Sequence, residues 1–208
     1  MVYKAVAFDL DGTLVTDKSS WWKLHKYFGT YELSLKNMKD YEQGKITYDE
    51  FMRRDVALWK PKPHVNTIKR ILLRYSLTPN AKFVTETLEE RGYHVAIITT
   101  GIDIFAKAVA SELHIQYVVA NGLVLNKNGY LTGKVIFNVD LLKKEQAFND
   151  LILKIGINKE QWIAVGDSKY DKGFLKNAGL GIAFNPDEDL KRSSSLVISD
   201  LKELLSFI

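Results

Sequence analysis

The stretch that most limits what this chain can fold into is the run Val2 to Phe8 and the six residues after it, Asp9-Leu10-Asp11-Gly12-Thr13-Leu14. The run is apolar and partly β-branched, broken only by Lys4, and reads as a buried strand. It stops on two carboxylates two residues apart. Residues i and i+2 of a strand point the same way. Both acids therefore belong at the carboxyl edge of a sheet, where open α/β folds bind ligands. Carboxylates so close repel each other, and a bound cation or a shared proton is the usual resolution. The plainer reading is an acidic turn in which Gly12 only bends the chain. Partners elsewhere in the sequence decide between the two.

The period changes after Thr13. Trp21, Leu24, His25 and Phe28 follow helical spacing, with Gly29 placed to end the helix. Leu33, Leu35 and Met38 mark a second helix running towards Gly44. Thr47-Tyr48-Asp49-Glu50 is a capping box for a third, to about Trp59. Pro61 and Pro63 interrupt, and Val65, Ile68, Ile71 and Leu72 mark a fourth. Residues 16–76 thus read as a helical cap inserted after the first strand. Beyond them the sheet resumes. Thr78-Pro79 predicts a helix start and Gly92 its end. His94–Thr99 is a buried strand, followed by a helix from Asp103 to Leu113 and a strand at Tyr117-Val118-Val119. Asn128-Gly129 predicts a hairpin between Leu123 and Val135, and Asp140 is read as the cap of a helix that runs to Gly156. Trp162–Val165, Leu180–Ala183 and Leu196–Ile198 close the series as short strands with helices between. This alternation predicts an α/β fold, a Rossmann-like parallel sheet with helices on both faces. The core would comprise residues 1–15 and 77–208, and the cap 16–76.

Of 208 residues, 46% are hydrophobic and 26% charged, which suits one sizeable core plus a subdomain. The absence of cysteine excludes disulfides, thiolate metal sites and a cysteine nucleophile. Lys4 and Asp9 do not suit a secretory signal, and no apolar run approaches the ~20 residues that span a bilayer. The expected setting is cytoplasmic, without a membrane partner. The net charge of +4 comes from lysines interleaved with acids, and Lys69-Arg70 with Arg74 reads as a solvated helix face, so no nucleic-acid partner is expected.

Three later positions supply partners for the first motif. The second strand ends in Thr99-Thr100-Gly101, Lys144 lies in the first turn of the helix after the hairpin, and the strand Trp162–Val165 ends in Gly166-Asp167-Ser168-Lys169-Tyr170-Asp171. Taken singly, Thr99 is a common strand-end residue and Lys144 an ordinary helix lysine with Lys143 as its rival. Taken in order, the four segments resemble the motifs of the haloacid dehalogenase-like phosphohydrolases, over about residues 3 to 184. Response-regulator receiver domains use a similar kit, but carry their phosphorylated Asp on the third strand and lack the helical insertion.

The resemblance implies a Mg²⁺-dependent phosphatase acting on a small phosphorylated metabolite through an aspartyl phosphate, with Asp9 as nucleophile and Asp11 as general acid and base. It implies metal ligation by Asp9, Asp11 (through its carbonyl), Asp167 and Asp171, and phosphate binding by Thr99, Thr100, Gly101 and Lys144. Lys144 is preferred to Lys143 because its spacing from Val139-Asp140 is similar to that of phosphoserine phosphatases, the capped subfamily that the insertion also resembles. In that subfamily Gly44-Lys45-Ile46-Thr47 leading to Phe51-Met52-Arg53 matches a cap segment bearing a carboxylate-binding arginine, so Arg53 is a candidate clamp. One departure stands out. Lys18 occupies the position where a glutamate would meet the ammonium of phosphoserine. That leaves a substrate with a further anionic group, an uncharged one, or compensation by Asp17. Trp22 is a candidate pocket wall, and His25, His64, His94 and His114 share no ligand spacing.

Two other functions remain open to the same residues: a phosphotransferase or mutase, and a non-catalytic phosphate-binding protein. The oligomeric state is left as monomer or homodimer.

Overall fold

Strand β1 (Ala5–Phe8) lies in the middle of a seven-stranded sheet of order β4-β3-β2-β1-β5-β6-β7 in a computed structural model that describes residues 2–208. Its neighbours are β2 (His94–Ile102) and β5 (Trp162–Gly166), both parallel to it; β3 (Tyr117–Leu125), β6 (Leu180–Phe184) and β7 (Val197–Ile198) continue the parallel arrangement. Only β4 (Leu131–Ile136) runs antiparallel, as the second arm of a hairpin with β3. Phe8 is in register with Ile97 of β2 and Val165 of β5. That register brings the ends of three strands, and the residues just beyond them, to one edge of the sheet.

Alternation along β1 explains the layering. Val6 and Phe8 join one buried cluster with α5 (Ala81–Glu90) and α6 (Asp103–Glu112), through Val84, Leu88, Phe105 and Ala106. Ala5 and Ala7 face the other side, where their small side chains make room for Phe148 of α7 (Lys144–Ile155), Phe174 of α8 (Lys172–Lys176) and Trp162. Phe148 meets both other rings edge-on. Helices thus cover both faces.

Between β1 and β2 come α1 (Ser20–Tyr27), α2 (Tyr31–Glu42), α3 (Tyr48–Leu58) and α4 (Val65–Leu72). Leu24, Trp59, Ile68 and Leu72 belong to the same apolar cluster as Phe8. Only Tyr41, Tyr48 and Met52 form a separate small cluster, at the α2–α3 contact. Thr47 Oγ1 accepts from Glu50 N and starts α3 as the capping box predicts.

Several local expectations need correction. The first strand begins at Ala5, with Val2 74% exposed. Leu33 and Leu35 lie on the solvent side of α2, whose buried residues are Ser34 and Tyr41. Helix α5 starts at Ala81, two residues beyond Pro79, because left-handed Asn80 precedes it and donates to Asp200, 120 residues away. The hairpin turns through a longer loop in which Asn126 Oδ1 accepts from Asn128 N and Tyr130 N. Asp140 does not cap α7: its carboxylate accepts from Leu142 N and from the Tyr41 hydroxyl of α2. A short α9 (Glu188–Ser193) and a 3₁₀ segment (Leu201–Phe207) complete the chain. No helix among the described residues is long and apolar enough to cross a membrane.

Candidate active site

Asp9, Asp167 and Asp171 meet at the carboxyl edge of the sheet, each buried, with one carboxylate oxygen apiece lying within 4.8 Å of the others. Parallel pairing of β1 with β5 puts Asp9 and Asp167 side by side, each one residue past its strand end. Gly12 permits this approach: it has φ +89°, and a Cβ there would collide with the Asp167 carboxylate. Lys144, the first residue of α7, is 2% exposed, and its Nζ donates to Asp9 Oδ1 and, at 2.6 Å, to Asp171 Oδ1. Asp171 is fixed further by its second oxygen, which accepts from Asp167 N, Ser168 N and the Ser168 hydroxyl at 3.1–3.2 Å.

The charges do not balance without help. Burial lifts the Asp9 carboxyl well above the usual carboxylate range against the pull of Lys144. Burial also raises Asp167, opposed first by Lys18, whose Nζ lies 2.6 Å from Asp167 Oδ2. For Lys144 burial disfavours the charge, but the Asp171 and Asp9 carboxylates outweigh it and raise its pKa. Three buried acids facing one buried ammonium form a site short of positive charge. An all-oxygen, anionic donor set of this kind suits a hard divalent cation.

Asp11 stands beside this cluster. Burial pushes its carboxyl up to about 7, with Ser20 opposing. Its Oδ2 accepts from the Ser20 hydroxyl at 3.1 Å, whereas its buried Oδ1 has no partner in the protein. A carboxyl with such a pKa and one free oxygen can hold a proton at neutral pH and pass it on. Thr99 is buried within β2, three residues before its end, and its hydroxyl accepts from Gly101 N at 2.9 Å. Gly101 has no room for a side chain: a Cβ would lie 2.7 Å from Ser20 Oγ and 2.8 Å from Asp11 Oδ2. Thr100 presents its carbonyl to Trp21 Nε1 and Asn121 Nδ2, both at 3.0 Å.

A cavity of about 580 Å³ extends from these groups to the α1–α3 helices and includes Asp9, Asp11, Lys18, Thr99, Thr100, Lys144, Asp167 and Asp171 in its walls. Trp22 joins them, as the sequence suggested, and so do Trp21, Tyr48 and Phe51. Arg53 does not. It sits on the outer face of α3, 55% exposed in its side chain, and pairs with Asp49 at 2.6 Å one turn away. Asp17 is likewise committed elsewhere, to Lys23 at 2.7 Å, while Lys18 pairs with Asp167. His25 is a buried packing residue in contact with the Trp59 ring.

Four supporting residues escape a reading of the sequence. Ser20 orients Asp11 and also accepts from Ile102 N, joining α1 to the end of β2. Asn121, 1% exposed, bonds four times to backbone: Thr100 O, Val139 O, Asn138 N and Val139 N. It thereby ties the end of β2 to the segment that delivers Lys144. Tyr48 lines the cavity from α3. Asp55, 2% exposed, lines it from the same helix. Only Ser20, at the start of α1 soon after the first motif, carries a positional hint.

Comparison with known proteins agrees with this geometry. The sequence model of the haloacid dehalogenase-like hydrolases matches residues 3–179. A phosphoserine phosphatase of Methanocaldococcus jannaschii is 34% identical, over 99% of this chain and 97% of its own. A solved structure of a phospho-aspartyl intermediate analogue of phosphoserine phosphatase superposes with a TM-score of 0.83 and 31% identity, over all of both chains. A substrate-bound phosphoserine phosphatase complex gives 0.83 and 30%, over 100% of this chain and 99% of that one.

Proposed function

This chain belongs to the haloacid dehalogenase-like hydrolases, and on that premise we propose that it is a cytoplasmic phosphatase that hydrolyses a small phosphomonoester through an aspartyl phosphate on Asp9. The observation that carries the assignment is the bridge from Lys144 Nζ to Asp9 and Asp171, beside Asp167 at the same sheet edge. A lone carboxylate attacks a phosphate dianion poorly because both are negative. Lys144 offsets that repulsion and holds Asp9 Oδ1, at a residue that lines the cavity.

The donor set fits a Mg²⁺ ion, which the carboxylates of Asp9, Asp167 and Asp171 and the Asp11 carbonyl would hold, Asp171 also anchoring Lys144 and the Asp167 and Ser168 backbone. Such an ion neutralises charge on the phosphoryl oxygens and adds to the protein's own stabilisation. The remaining steps are assigned to side chains. Asp11, with its free Oδ1 and its pKa near 7, gives a proton to the leaving alcohol oxygen as the P–O bond breaks. As a carboxylate it then takes a proton from the water that attacks the aspartyl phosphate, releasing phosphate and restoring Asp9. Thr99, Thr100 and Gly101 are assigned to the phosphoryl oxygens. Residues 16–76 are read as a cap over the core of 1–15 and 77–208, enclosing the leaving group. The named relatives point to phosphoserine-like substrates, but Lys18 is turned to Asp167 and Arg53 to solvent.

The test is phosphate release from p-nitrophenyl phosphate and small phosphomonoesters. Turnover should need Mg²⁺, stop on chelation and return when Mg²⁺ is restored. Full activity in excess chelator would remove the metal from the account.

A further inference from the structure

The walls of the cavity divide by charge. Its cations, Lys18, Lys144 and Lys169, lie at or near the carboxylate cluster, with Lys18 and Lys144 bonded into it and Lys169 paired with Glu42 at 3.2 Å. The wall built by α1–α3 is otherwise aromatic, apolar or hydroxyl-bearing, as at Trp22, Met38, Tyr48 and Phe51, and holds a single carboxylate, Asp55. Asp55 Oδ1 accepts from Asn37 Nδ2 at 2.8 Å. Its Oδ2 lies 3.1 Å from His25 Nε2, without the alignment of a full hydrogen bond. Both oxygens therefore keep acceptor capacity towards the cavity.

The hydrogen-bond network also settles the charge on this wall. Trp59 Nε1, which can only donate, points at His25 Nδ1 from 3.2 Å, and the Thr30 hydroxyl lies 2.8 Å from the same nitrogen. His25 Nδ1 must then present its lone pair, so the ring's one proton is on Nε2 and the imidazole is neutral. No cation answers Asp55, and a buried unpaired carboxylate is costly unless a ligand completes it. A carboxylate among aromatic rings is a setting that attracts an ammonium group and repels a second carboxylate.

Resting on the phosphatase reading above, we propose that Asp55 determines specificity, selecting phosphomonoesters whose alcohol carries a cationic nitrogen and no carboxylate. The amino-alcohol phosphates are that class. The phosphate binds at the Asp9 edge and the ammonium points across the cavity to Asp55, so the carboxyl of phosphoserine would be brought towards a like charge.

The test compares kcat/KM for phosphoethanolamine, its isostere propyl phosphate, which lacks the ammonium, and phosphoserine, with p-nitrophenyl phosphate as the general phosphatase assay. The native protein should prefer phosphoethanolamine to each of the others by about tenfold or more, the value of one good ionic contact. Asp55→Asn, which keeps the shape and the Asn37 contact, should lower the phosphoethanolamine to propyl phosphate ratio about tenfold. A merely structural role would not move that ratio. Phosphoserine cleaved as well as phosphoethanolamine, or a ratio unchanged in Asp55→Asn, overturns the proposal. If the variant does not fold, the native preference decides. Cleavage of p-nitrophenyl phosphate without phosphoethanolamine also overturns it while the phosphatase reading stands, and failure of all four esters removes both.

Discussion

Lys144 Nζ is shared between Asp9 and Asp171 and all three side chains are buried, so this one ammonium compensates a pair of largely desolvated carboxylates. Removing one partner of such a group leaves uncompensated buried charge, which typically costs about 3–5 kcal/mol. In chelator, Lys144→Met is expected to lose stability of that order in urea unfolding, and to lose phosphate release in Mg²⁺. A loss below about 1 kcal/mol would mean that the ammonium is not what holds the acids together. At the same scale, Arg53 and Asp55 show where the sequence misleads. They are two residues apart on α3, and residues i and i+2 of a helix do not share a face. The sequence pattern singles out Arg53 alone on this helix. Its register, set by burial of Met52 and Val56, puts the arginine in solvent and the carboxylate in the cavity.

Among the elements, the strands were the most legible. Every acidic candidate stands at or just past a short apolar run, and parallel pairing of β1 with β5 brings those ends together, whereas Lys144 comes from the start of α7. Asp9, Asp11, Thr99, Lys144, Asp167 and Asp171 are therefore placed by the ordered combination of four segments and its family resemblance, Lys144 by the resemblance alone. The parts that could not be read are long-range. Asn80 sets the start of α5 through Asp200, and Tyr41 takes the Asp140 carboxylate that looked like a helix cap. Asn121 belongs to this class, because nothing near it in sequence signals four backbone partners. Leaving buried backbone groups unpaired costs about 1–3 kcal/mol apiece. Asn121→Ala is expected to destabilise the protein by about 3 kcal/mol or more and to lower kcat, because the chain before Lys144 loses its tie to β2. A change of less than about 1 kcal/mol would show that the tie is not structural.

Over the whole molecule, α2 reaches back to the core through Glu42, which accepts from the Tyr170 hydroxyl at 2.7 Å and from Lys169 at 3.2 Å. The Tyr170 hydroxyl foremost, against the opposing effect of burial and with help from Lys169, holds the Glu42 carboxyl below its usual 4.5. A lowered folded-state pKa means stability that is present above about pH 4.5 and is lost as pH falls through the folded value. The contact is partly solvated, so its contribution is under about 1 kcal/mol. In urea unfolding, Glu42→Gln should be the less stable protein at neutral pH, with the gap closing towards about pH 3. A gap that persists in acid would assign the effect to shape rather than charge.

The central claim is that Asp9 becomes covalently phosphorylated during turnover. Its most direct measurement is the mass of the protein acid-quenched during turnover of p-nitrophenyl phosphate in Mg²⁺, followed by peptide mapping. The expected result is one added phosphoryl group on the peptide containing Asp9, absent from Asp9→Asn. Turnover with no phosphorylated enzyme, or with the group on another residue, would contradict it.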